Sequence, residues 1–250
     1  IKAIGALAGS RVIKTLLRLN NHYNLATAVK EELIVGMEKE VQQKMYSKYG
    51  MSNLKTYTKS EILKDIELIE DSQEYIVKPS IGGGSQGVFI LSGNDLKNTI
   101  LKKELVDNFV VQAVSYGKEY RVLIMVQNGE IKLLSPLLRN NFKNTFFLGK
   151  LQYCSCEKDM NRIYKHAVNF INSMGIINSI IKYDIIVEKN NITLIEMDIG
   201  VGGGIYFKKY ISEIFDTDII ELYLKLITGV DIEKFNAKNL DLIMEYVFNE

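Results

Sequence analysis

The sequence predicts an α+β fold made of two lobes with mostly antiparallel strands. Short apolar strands come in pairs that alternate with helices, an order that excludes a simple doubly wound parallel sheet. Asn128-Gly129 lies between two apolar stretches and favours the type I′ turn of a β-hairpin. Residues 82–87 contain four glycines and lie between two further predicted strands. We therefore expect two lobes with a cleft between them, where binding pockets commonly lie.

The helices are predicted from apolar spacing and from end signals. In the first of them Leu33, Met37, Val41 and Met45 are four residues apart, and Gly50 is a typical C-terminal stop. Ser60 is the expected N-cap of the second helix. The predicted helices span residues 32–49, 60–69, 95–105, 159–174 and 211–228. The predicted strands span residues 75–79, 88–91, 109–114, 120–127, 130–135, 183–188 and 192–198.

Length and charge limit the classes of protein to which the chain can belong. Its 250 residues, 47% of them hydrophobic, can bury the core of one large domain or two small ones. With 31 basic and 30 acidic residues the net charge is +1, which argues against nucleic acid or an anionic membrane as a partner. No apolar run is long enough to span a bilayer. Residues 1–19 carry four basic residues and lack a cleavage site, so we predict no signal peptide, and the initial Ile1 suggests a fragment.

The cysteines give an expectation about the cellular compartment. Cys154 and Cys156 are too close for an unstrained disulfide, and no further Cys or suitably spaced His completes a zinc site. Free thiols in a reducing cytosol are the simpler interpretation. We therefore expect a cytoplasmic protein.

The glycine-rich segment is the first motif that indicates chemistry. Lys78 ends a predicted strand, and residues 82–87 follow it as a loop. Glycines leave backbone N–H groups free to surround an anion, and a lysine can hold a phosphate as a point charge. No Gly-Lys-Ser/Thr follows and no helix begins there, so the segment is not a Walker loop. The alternative is a flexible hairpin tip, which rarely needs so many glycines beside a lysine.

Three carboxylates form the second motif. Glu196 and Asp198 are two residues apart on a strand, so their side chains share one face. Asp184 lies on the preceding strand of the same predicted hairpin. Carboxylates that converge in apolar surroundings repel one another unless a cation neutralises them, and oxygen ligands suit Mg²⁺. The alternative is an ordinary strand with its polar face in water.

A third segment, residues 109–121, is a weaker indication. The apolar strand 109–114 contains Gln112 and leads into a turn at Gly117. Backbone groups at such a strand end can pair with the edge of an adenine, and Glu119 can accept hydrogen bonds from ribose hydroxyls. Many strand–turn–strand units share this pattern.

Together these motifs resemble the ATP-grasp superfamily, and most closely its carbamoyl-phosphate-synthetase-like branch of carboxylate–amine ligases. The resemblance covers roughly residues 32–235 and implies an ATP-grasp fold, in which two α+β lobes with antiparallel sheets grip ATP between them. It implies two phosphate lysines, Lys39 and Lys78, and a phosphate-covering loop that contains Gly83, Gly84, Ser85, Gln86 and Gly87. It also implies an adenine hinge at Gln112, Ala113 and Val114, a ribose carboxylate at Glu119, adenine contacts from Ile76 and Leu194, and metal ligands at Asp184, Glu196 and Asp198.

The sequence departs from the family pattern at one important position. The family often has an arginine two residues after the Glu-x-Asn motif, but this chain has Glu196-Met197-Asp198 followed by Gly200 at that position. The arginine normally steadies the transferred phosphate. Arg121 or Arg139 could replace it from another strand, and we expect one of them to be catalytic. A surface arginine is an equally good interpretation of Arg121.

The resemblance implies an ATP-dependent ligase that joins a small-molecule carboxylate to an amine through an acylphosphate. ATP and two Mg²⁺ ions, or Mn²⁺ in their place, are the expected cofactors, and a homo-oligomer is compatible with the sequence. The alternatives are a non-catalytic ATP-binding module and a carboxylate kinase. We interpret residues 1–34 as the remnant of an N-terminal domain and 35–250 as the ATP-grasp domain, with a small lobe at about 60–114 and a large lobe at about 115–250.

Overall fold

The computed structural model describes residues 1–7, 11–35, 39–52, 54–80, 86–102, 108–142, 145–200 and 204–247. The helices are α1 Arg11–His22, α2 Glu31–Val35, α3 Lys39–Lys48, α4 Lys59–Lys64, α5 Gly93–Leu101, α6 Glu157–Met174, α7 Ile205–Phe215 and α8 Ile219–Thr228, with a 3₁₀ turn at Ile66–Leu68. The strands are β1 Thr56–Thr58, β2 Glu74–Pro79, β3 Phe89–Ser92, β4 Phe109–Ala113, β5 Lys118–Gln127, β6 Glu130–Asn141, β7 Leu148–Tyr153, β8 Ser179–Val187, β9 Ile192–Ile199 and β10 Ile243–Glu245. Within these ranges no helix is both long enough and apolar enough to cross a membrane.

The strands form two antiparallel sheets, which confirms the predicted α+β class. The small sheet has four strands in the order β1-β4-β2-β3, and the large sheet has six in the order β10-β7-β6-β5-β8-β9. Residues 114–117 connect β4 of the small sheet to β5 of the large sheet. The predicted hairpin between β5 and β6 is also confirmed, since Asn128 and Gly129 have positive φ angles of 54° and 78°. Such angles are those that a type I′ turn requires.

Each sheet is covered by helices that bury its apolar side chains. One core lies between the small sheet and helices α4 and α5. A second lies between one face of the large sheet and helices α1, α3 and α6, and a third lies between its other face and helices α7 and α8. Helix α1 contributes Ile13, Leu16 and Leu17 to the core that also contains Tyr183 and Phe170. Residues 11–34 therefore pack as part of the large lobe, whatever their origin in the whole protein.

The prediction of one long helix over residues 211–228 was wrong. The structure has two helices, α7 and α8, with a break at Asp216, whose φ of 51° is left-handed and ends a right-handed helix. The carboxylate of Asp218 then accepts hydrogen bonds from the backbone N–H groups of Ile220 and Glu221, so it begins α8 as an N-cap. The apolar spacing continues across the break, and this continuity misled the prediction.

Two other helix boundaries differ from the prediction. The predicted helix 32–49 corresponds to α2 and α3, and residues 36–38 between them lie outside the described part of the chain. Helix α4 is capped by Thr58, not by Ser60, because Thr58 and Glu61 form a reciprocal capping box. Helix α5 is described to Leu101, and residues 103–105 of its predicted span lie outside the described residues.

The buried His166 on α6 makes the stability of the fold depend on pH. Burial lowers the pKa of this imidazole to about 4. Both of its ring nitrogens are buried, and an interaction with the backbone of Met51 only partly offsets the effect of burial. The unfolded chain binds the proton more tightly than the folded protein does. The free energy of unfolding therefore has its full value, with respect to His166, only above about pH 6.5. We expect it to fall by about 2 to 3 kcal/mol as the pH drops from about 6.5 to about 4.

Urea denaturation between pH 7 and pH 4.5 measures this dependence. The His166→Gln variant should lose most of the slope between pH 6.5 and pH 4.5. His22→Gln, which changes the exposed histidine at the end of α1, is the matched control and should keep the wild-type slope. A wild-type slope in His166→Gln would show that other groups cause the acid sensitivity.

Candidate functional site

One face of the large sheet carries most of the predicted site residues. Residues that are directly opposite on neighbouring strands share a face. Arg121 on β5 is opposite Asp184 on β8, and Asp184 is opposite Glu196 on the edge strand β9. Lys182 is opposite Asp198 in the next row. The same face continues into the apolar residues that α7 and α8 cover, so the charged residues occupy its uncovered end.

Arg121 and Asp184 form a buried ion pair with two hydrogen bonds. Nε of Arg121 donates to Oδ1 of Asp184 at 2.9 Å, and Nη2 donates to Oδ2 at 2.8 Å. The two side chains are only 18% and 4% exposed. Burial acts to raise the pKa of Asp184, but the guanidinium outweighs it and the pKa is lowered. The alternative interpretation of Arg121 as a surface arginine is therefore wrong.

Arg139 and Glu119 form a second pair on the same face. Nη1 of Arg139 donates to the Glu119 carboxylate, and Nη2 donates to the carbonyl of Phe146 at 2.7 Å. Burial raises the pKa of Glu119, and the nearby Arg139 opposes that shift. The half-buried Ile186 is opposite Glu119 in the β5–β8 register and presents an apolar surface beside it.

Lys182 is a site residue that the sequence analysis missed. Its Nζ donates to Oδ2 of Asp198 at 2.7 Å, and its side chain is only 12% exposed. Lys182 precedes Asp184 by two residues, so both project from the same face of β8. This alternation was visible in the sequence and was the available signal. The face thus carries the cations Arg121, Arg139 and Lys182 among its carboxylates.

The two predicted phosphate lysines lie at the end of β2 in the small lobe and at the start of α3. Lys78 at the end of β2 is 9% exposed, and its Nζ donates to Oε1 of Gln112 at 3.2 Å. Lys39, the first residue of α3, donates to the carbonyl of Pro79 at 3.2 Å. Burial lowers the pKa of Lys78, the negative charge of Glu196 opposes this, and the charge of Lys39 adds to it. The charges of Lys39 on α3 and of Glu196 on the large lobe thus both act on Lys78.

The predicted adenine residues occupy different environments. Ile76 is half-buried and is opposite Gln112 in the β2–β4 register, on the same face of the small sheet as Lys78. The N–H groups of Ala113 and Val114 donate to the carbonyls of Lys55 and Glu74, and both residues lie where the chain leaves the small sheet. Leu194 is 0% exposed and lies in the core on the opposite face of the large sheet. Contacts of these residues with adenine remain predictions.

Part of the predicted phosphate-covering loop lies outside the described residues. Gly83, Gly84 and Ser85 belong to that part, whereas Gln86 and Gly87 are described. Gly87 has a φ of 68°, and a Cβ at this position would lie 3.0 Å from the ring of Pro79. A glycine is therefore required where the chain turns back from the loop into β3.

The structure explains why a glycine occupies position 200. Its φ of 107° is a conformation that side-chain-bearing residues rarely adopt. A Cβ on Gly200 would lie 2.9 Å from Cδ1 of Ile13, which belongs to the core on the opposite face of the sheet. An arginine at this position would be strained and would point away from the charged face. Substitution of Gly200 by arginine would therefore not place a guanidinium on the charged face.

The carboxylates offer the oxygen ligands that Mg²⁺ prefers, but three of their six oxygens already accept hydrogen bonds from described residues. Asp184 is bonded to Arg121 and Asp198 to Lys182, whereas no described residue donates a hydrogen bond to Glu196. Among the described residues no group of three or more His, Cys, Asp or Glu side chains is placed to hold a metal ion. The donor chemistry thus fits a cation at Glu196, and the metal role of Asp184 and Asp198 remains a prediction.

Two glutamines of α3 fix the position of the strand that carries Glu196. Strand β9 has a bulge between the positions that pair with Asp184 and Ile185. Nε2 of Gln43 donates to the carbonyls of Leu194 and Ile195 at 3.3 and 2.8 Å, and Nε2 of Gln42 donates to the carbonyl of Met197 at 3.4 Å. The free edge of β9 is therefore bound to the helix that begins with Lys39.

We expect Gln43→Leu to lower the free energy of unfolding by about 1 to 3 kcal/mol, because two buried carbonyls lose their donor. Guanidinium denaturation measures the change. The control is Gln73→Leu, which removes one exposed hydrogen bond to the carbonyl of Glu74 and should change the stability by less than about 0.5 kcal/mol. Equal effects of the two substitutions would contradict a special role for Gln43.

Comparison with known proteins assigns the family. Residues 40–199 match the model of the ATP-grasp domain, which is more than half of the chain. The chain therefore belongs to the ATP-grasp family. No curated protein sequence matches it.

Solved structures share the fold at low sequence identity. Phosphoribosylglycinamide synthetase from Anaerococcus prevotii is 14% identical with a TM-score of 0.64, and the alignment covers 92% of this chain and 60% of that one. L-amino acid ligase from Bacillus licheniformis is 16% identical with a TM-score of 0.66, covering 86% and 53%. The biotin carboxylase domain of the Hydrogenobacter thermophilus 2-oxoglutarate carboxylase, in complex with MgADP, ADP and bicarbonate, is 14% identical with a TM-score of 0.65, covering 92% and 55%. The chain thus spans little more than half the length of these proteins.

Proposed function

We propose that this chain is the ATP-binding and catalytic part of a Mg²⁺-dependent ligase that joins a carboxylate to an amine. The observation that carries the proposal is the position of Lys78, which lies beside Lys39 at the end of β2 and close enough to Glu196 of the large lobe to interact with its charge. Two neighbouring cations and a carboxylate to which no described residue donates a hydrogen bond fit a polyphosphate and its metal ion. The ligases and the nucleotide-bound carboxylase among proteins of this fold support the same class of reaction.

The proposed reaction has two steps. A carboxylate oxygen of the substrate attacks the γ-phosphorus of ATP, the bond to the β-phosphate oxygen breaks, and ADP leaves. The amine nitrogen then attacks the acyl carbon, phosphate leaves with the bonding electron pair, and the nitrogen loses a proton. Free carboxylate is a poor electrophile at neutral pH, and the first step gives it a leaving group.

The residues of the site contribute mainly positioning and charge. Lys39 and Lys78 hold the phosphates, and Glu119 accepts hydrogen bonds from the ribose. Glu196, with Asp184 and Asp198 beside it, would hold Mg²⁺. The bound ion would neutralise phosphate charge. Arg121, Arg139 and Lys182 supply the positive charge that a glycine at position 200 does not. Both cysteines are free thiols, which supports a reducing, cytoplasmic environment.

The second candidate function is ATP binding without turnover. It is favoured by the glycine at position 200, whose backbone conformation cannot accept an arginine. It is disfavoured by the three cations on the charged face of the large sheet, because a binding module needs none of them beyond the phosphate lysines.

Release of ADP in the presence of Mg²⁺, hydroxylamine and a panel of amino acids tests the proposal. Hydroxylamine converts an acylphosphate into a hydroxamate, so hydroxamate formation together with ADP release is the expected result. Amide formation with an added amine distinguishes a ligase from a carboxylate kinase. Glu196→Gln should abolish all of these products. Tight ATP binding with no ADP release on any carboxylate would contradict the ligase and favour the binding module.

A further inference from the structure

One guanidinium engages both oxygens of the Asp184 carboxylate. The two hydrogen bonds from Arg121 have lengths of 2.9 and 2.8 Å, and the two residues occupy directly opposite positions on β5 and β8. Bidentate pairs of this kind are strong and directional, and the 4% exposure of the carboxylate leaves little room for another partner. Mg²⁺ requires near-ideal octahedral geometry and gives up its waters reluctantly. Asp184 is therefore poorly placed to exchange its partner for a hydrated ion.

The charge of Arg121 also acts on the neighbouring carboxylate. Glu196 is opposite Asp184 on β9, and its charge is felt at the guanidinium of Arg121. A permanent positive charge thus lies among the carboxylates of this face in the absence of a bound metal ion. A divalent ion at Asp184 would be repelled by it at close range. The repulsion is weaker for an ion on the far side of Glu196, where bound phosphates would neutralise Lys39 and Lys78.

We propose that Arg121 takes the place of one of two metal ions in this chain, so that Asp184 keeps its arginine partner and the site binds a single divalent cation at Glu196. This inference rests on the proposed ATP-binding function of the same site. Arg121 would then be a fixed positive charge on the face of the sheet where the transferred phosphoryl group would lie. Arg121 would also supply the positive charge of the arginine that is absent from position 200, where the backbone conformation requires a glycine.

The ratio of bound metal to bound nucleotide tests this inference. Equilibrium dialysis with Mn²⁺ and the non-hydrolysable β,γ-imido analogue of ATP allows both to be counted on the protein. The expected ratio at saturation is one manganese ion per nucleotide. A ratio of two in the wild type would overturn the inference.

Three variants make the assignment specific. Arg121→Gln should raise the ratio to two because Asp184 then has free oxygens, while Arg121→Lys should keep it at one. Asp184→Asn should leave the Mn²⁺ affinity within threefold of the wild type, whereas Glu196→Gln should lower it at least tenfold. A tenfold loss in Asp184→Asn would identify Asp184 as a ligand and overturn the inference. Near-ultraviolet circular dichroism checks the fold of each variant, and if Arg121→Gln does not fold, the wild-type ratio and Asp184→Asn decide.

The outcomes separate this inference from the proposed function. If the wild type retains no nucleotide at any Mn²⁺ concentration, the proposed function fails. If it binds nucleotide with two ions, the function stands and only the single-ion inference is overturned.

Discussion

Lys78→Met will bind ATP about 30-fold to 150-fold more weakly than the wild type, because a charge-assisted contact of about 2 to 3 kcal/mol with a phosphate is lost. Lys78 is well placed for this contact, since it is buried at the end of β2 and faces Glu196 across the cleft. Isothermal titration calorimetry with MgATP measures the change. An affinity within threefold of the wild type would contradict the assignment of Lys78 to the phosphates.

The same substitution should not weaken the fold. Burial lowers the pKa of Lys78, which shows that the folded protein disfavours its charge in the absence of a ligand. Methionine has a similar length and no charge. Removal of the buried charge should offset the hydrogen bond that Gln112 loses, so the free energy of unfolding should change by less than about 1 kcal/mol. The matched control is Lys64→Met at the exposed end of α4, which should change neither quantity. Loss of both affinity and stability in Lys78→Met would indicate a structural role instead.

Asp184→Ala will lower the free energy of unfolding by about 3 to 5 kcal/mol, because it leaves the Arg121 guanidinium without its partner in a buried site. Chemical denaturation at pH 7 measures this loss. The lowered pKa of Asp184 gives the expected pH dependence. The stabilisation is complete above the unfolded-state pKa of about 3.9 and is lost only as the pH falls through the lower folded-state value.

Two controls distinguish the ion pair from simple loss of a side chain. Asp71→Ala removes a carboxylate that is 69% exposed and leaves its partner Lys97 paired with Glu67, so it should cost less than about 1 kcal/mol. The double variant Arg121→Met, Asp184→Leu should recover most of the stability, because a buried ion pair can be replaced by apolar side chains of similar volume. If the double variant is as unstable as Asp184→Ala, the unpaired charge is not the cause of the loss.

The sequence predicted the paired strands and the family because these depend on local patterns. The Asn128-Gly129 turn, the alternation of apolar residues and the lysine before a glycine loop are short-range signals. The break between α7 and α8 was missed because apolar spacing continues through it, and only the left-handed Asp216 interrupts the backbone. The strand pair β7 and β10 was not predicted either, since β10 has three residues and pairs at long range.

The sequence predicted which carboxylates belong to the candidate site, but it did not predict the cation with which each of them pairs. Alternation on β8 and β9 correctly places Asp184, Glu196 and Asp198 on one face. Which cation each carboxylate contacts depends on the register between β5, β8 and β9, and a single sequence does not contain this register. Gln43 was missed because its contact with β9 depends on how α3 packs against that strand. Lys182 was missed although its alternation with Asp184 was visible in the sequence.

The edge of β9 has a consequence for how copies of this chain can associate. Exposed backbone groups on an outer strand are the usual starting point for intermolecular sheet extension and for aggregation. On β9 three carbonyls accept hydrogen bonds from glutamine side chains, and the N–H of Leu194 donates to the carbonyl of Met51. Edge-to-edge association through the large sheet would therefore begin at the opposite end, on the short strand β10, where Ile243 is 48% exposed. Binding α3 to β9 thus both positions Glu196 and protects its strand from pairing with a second chain.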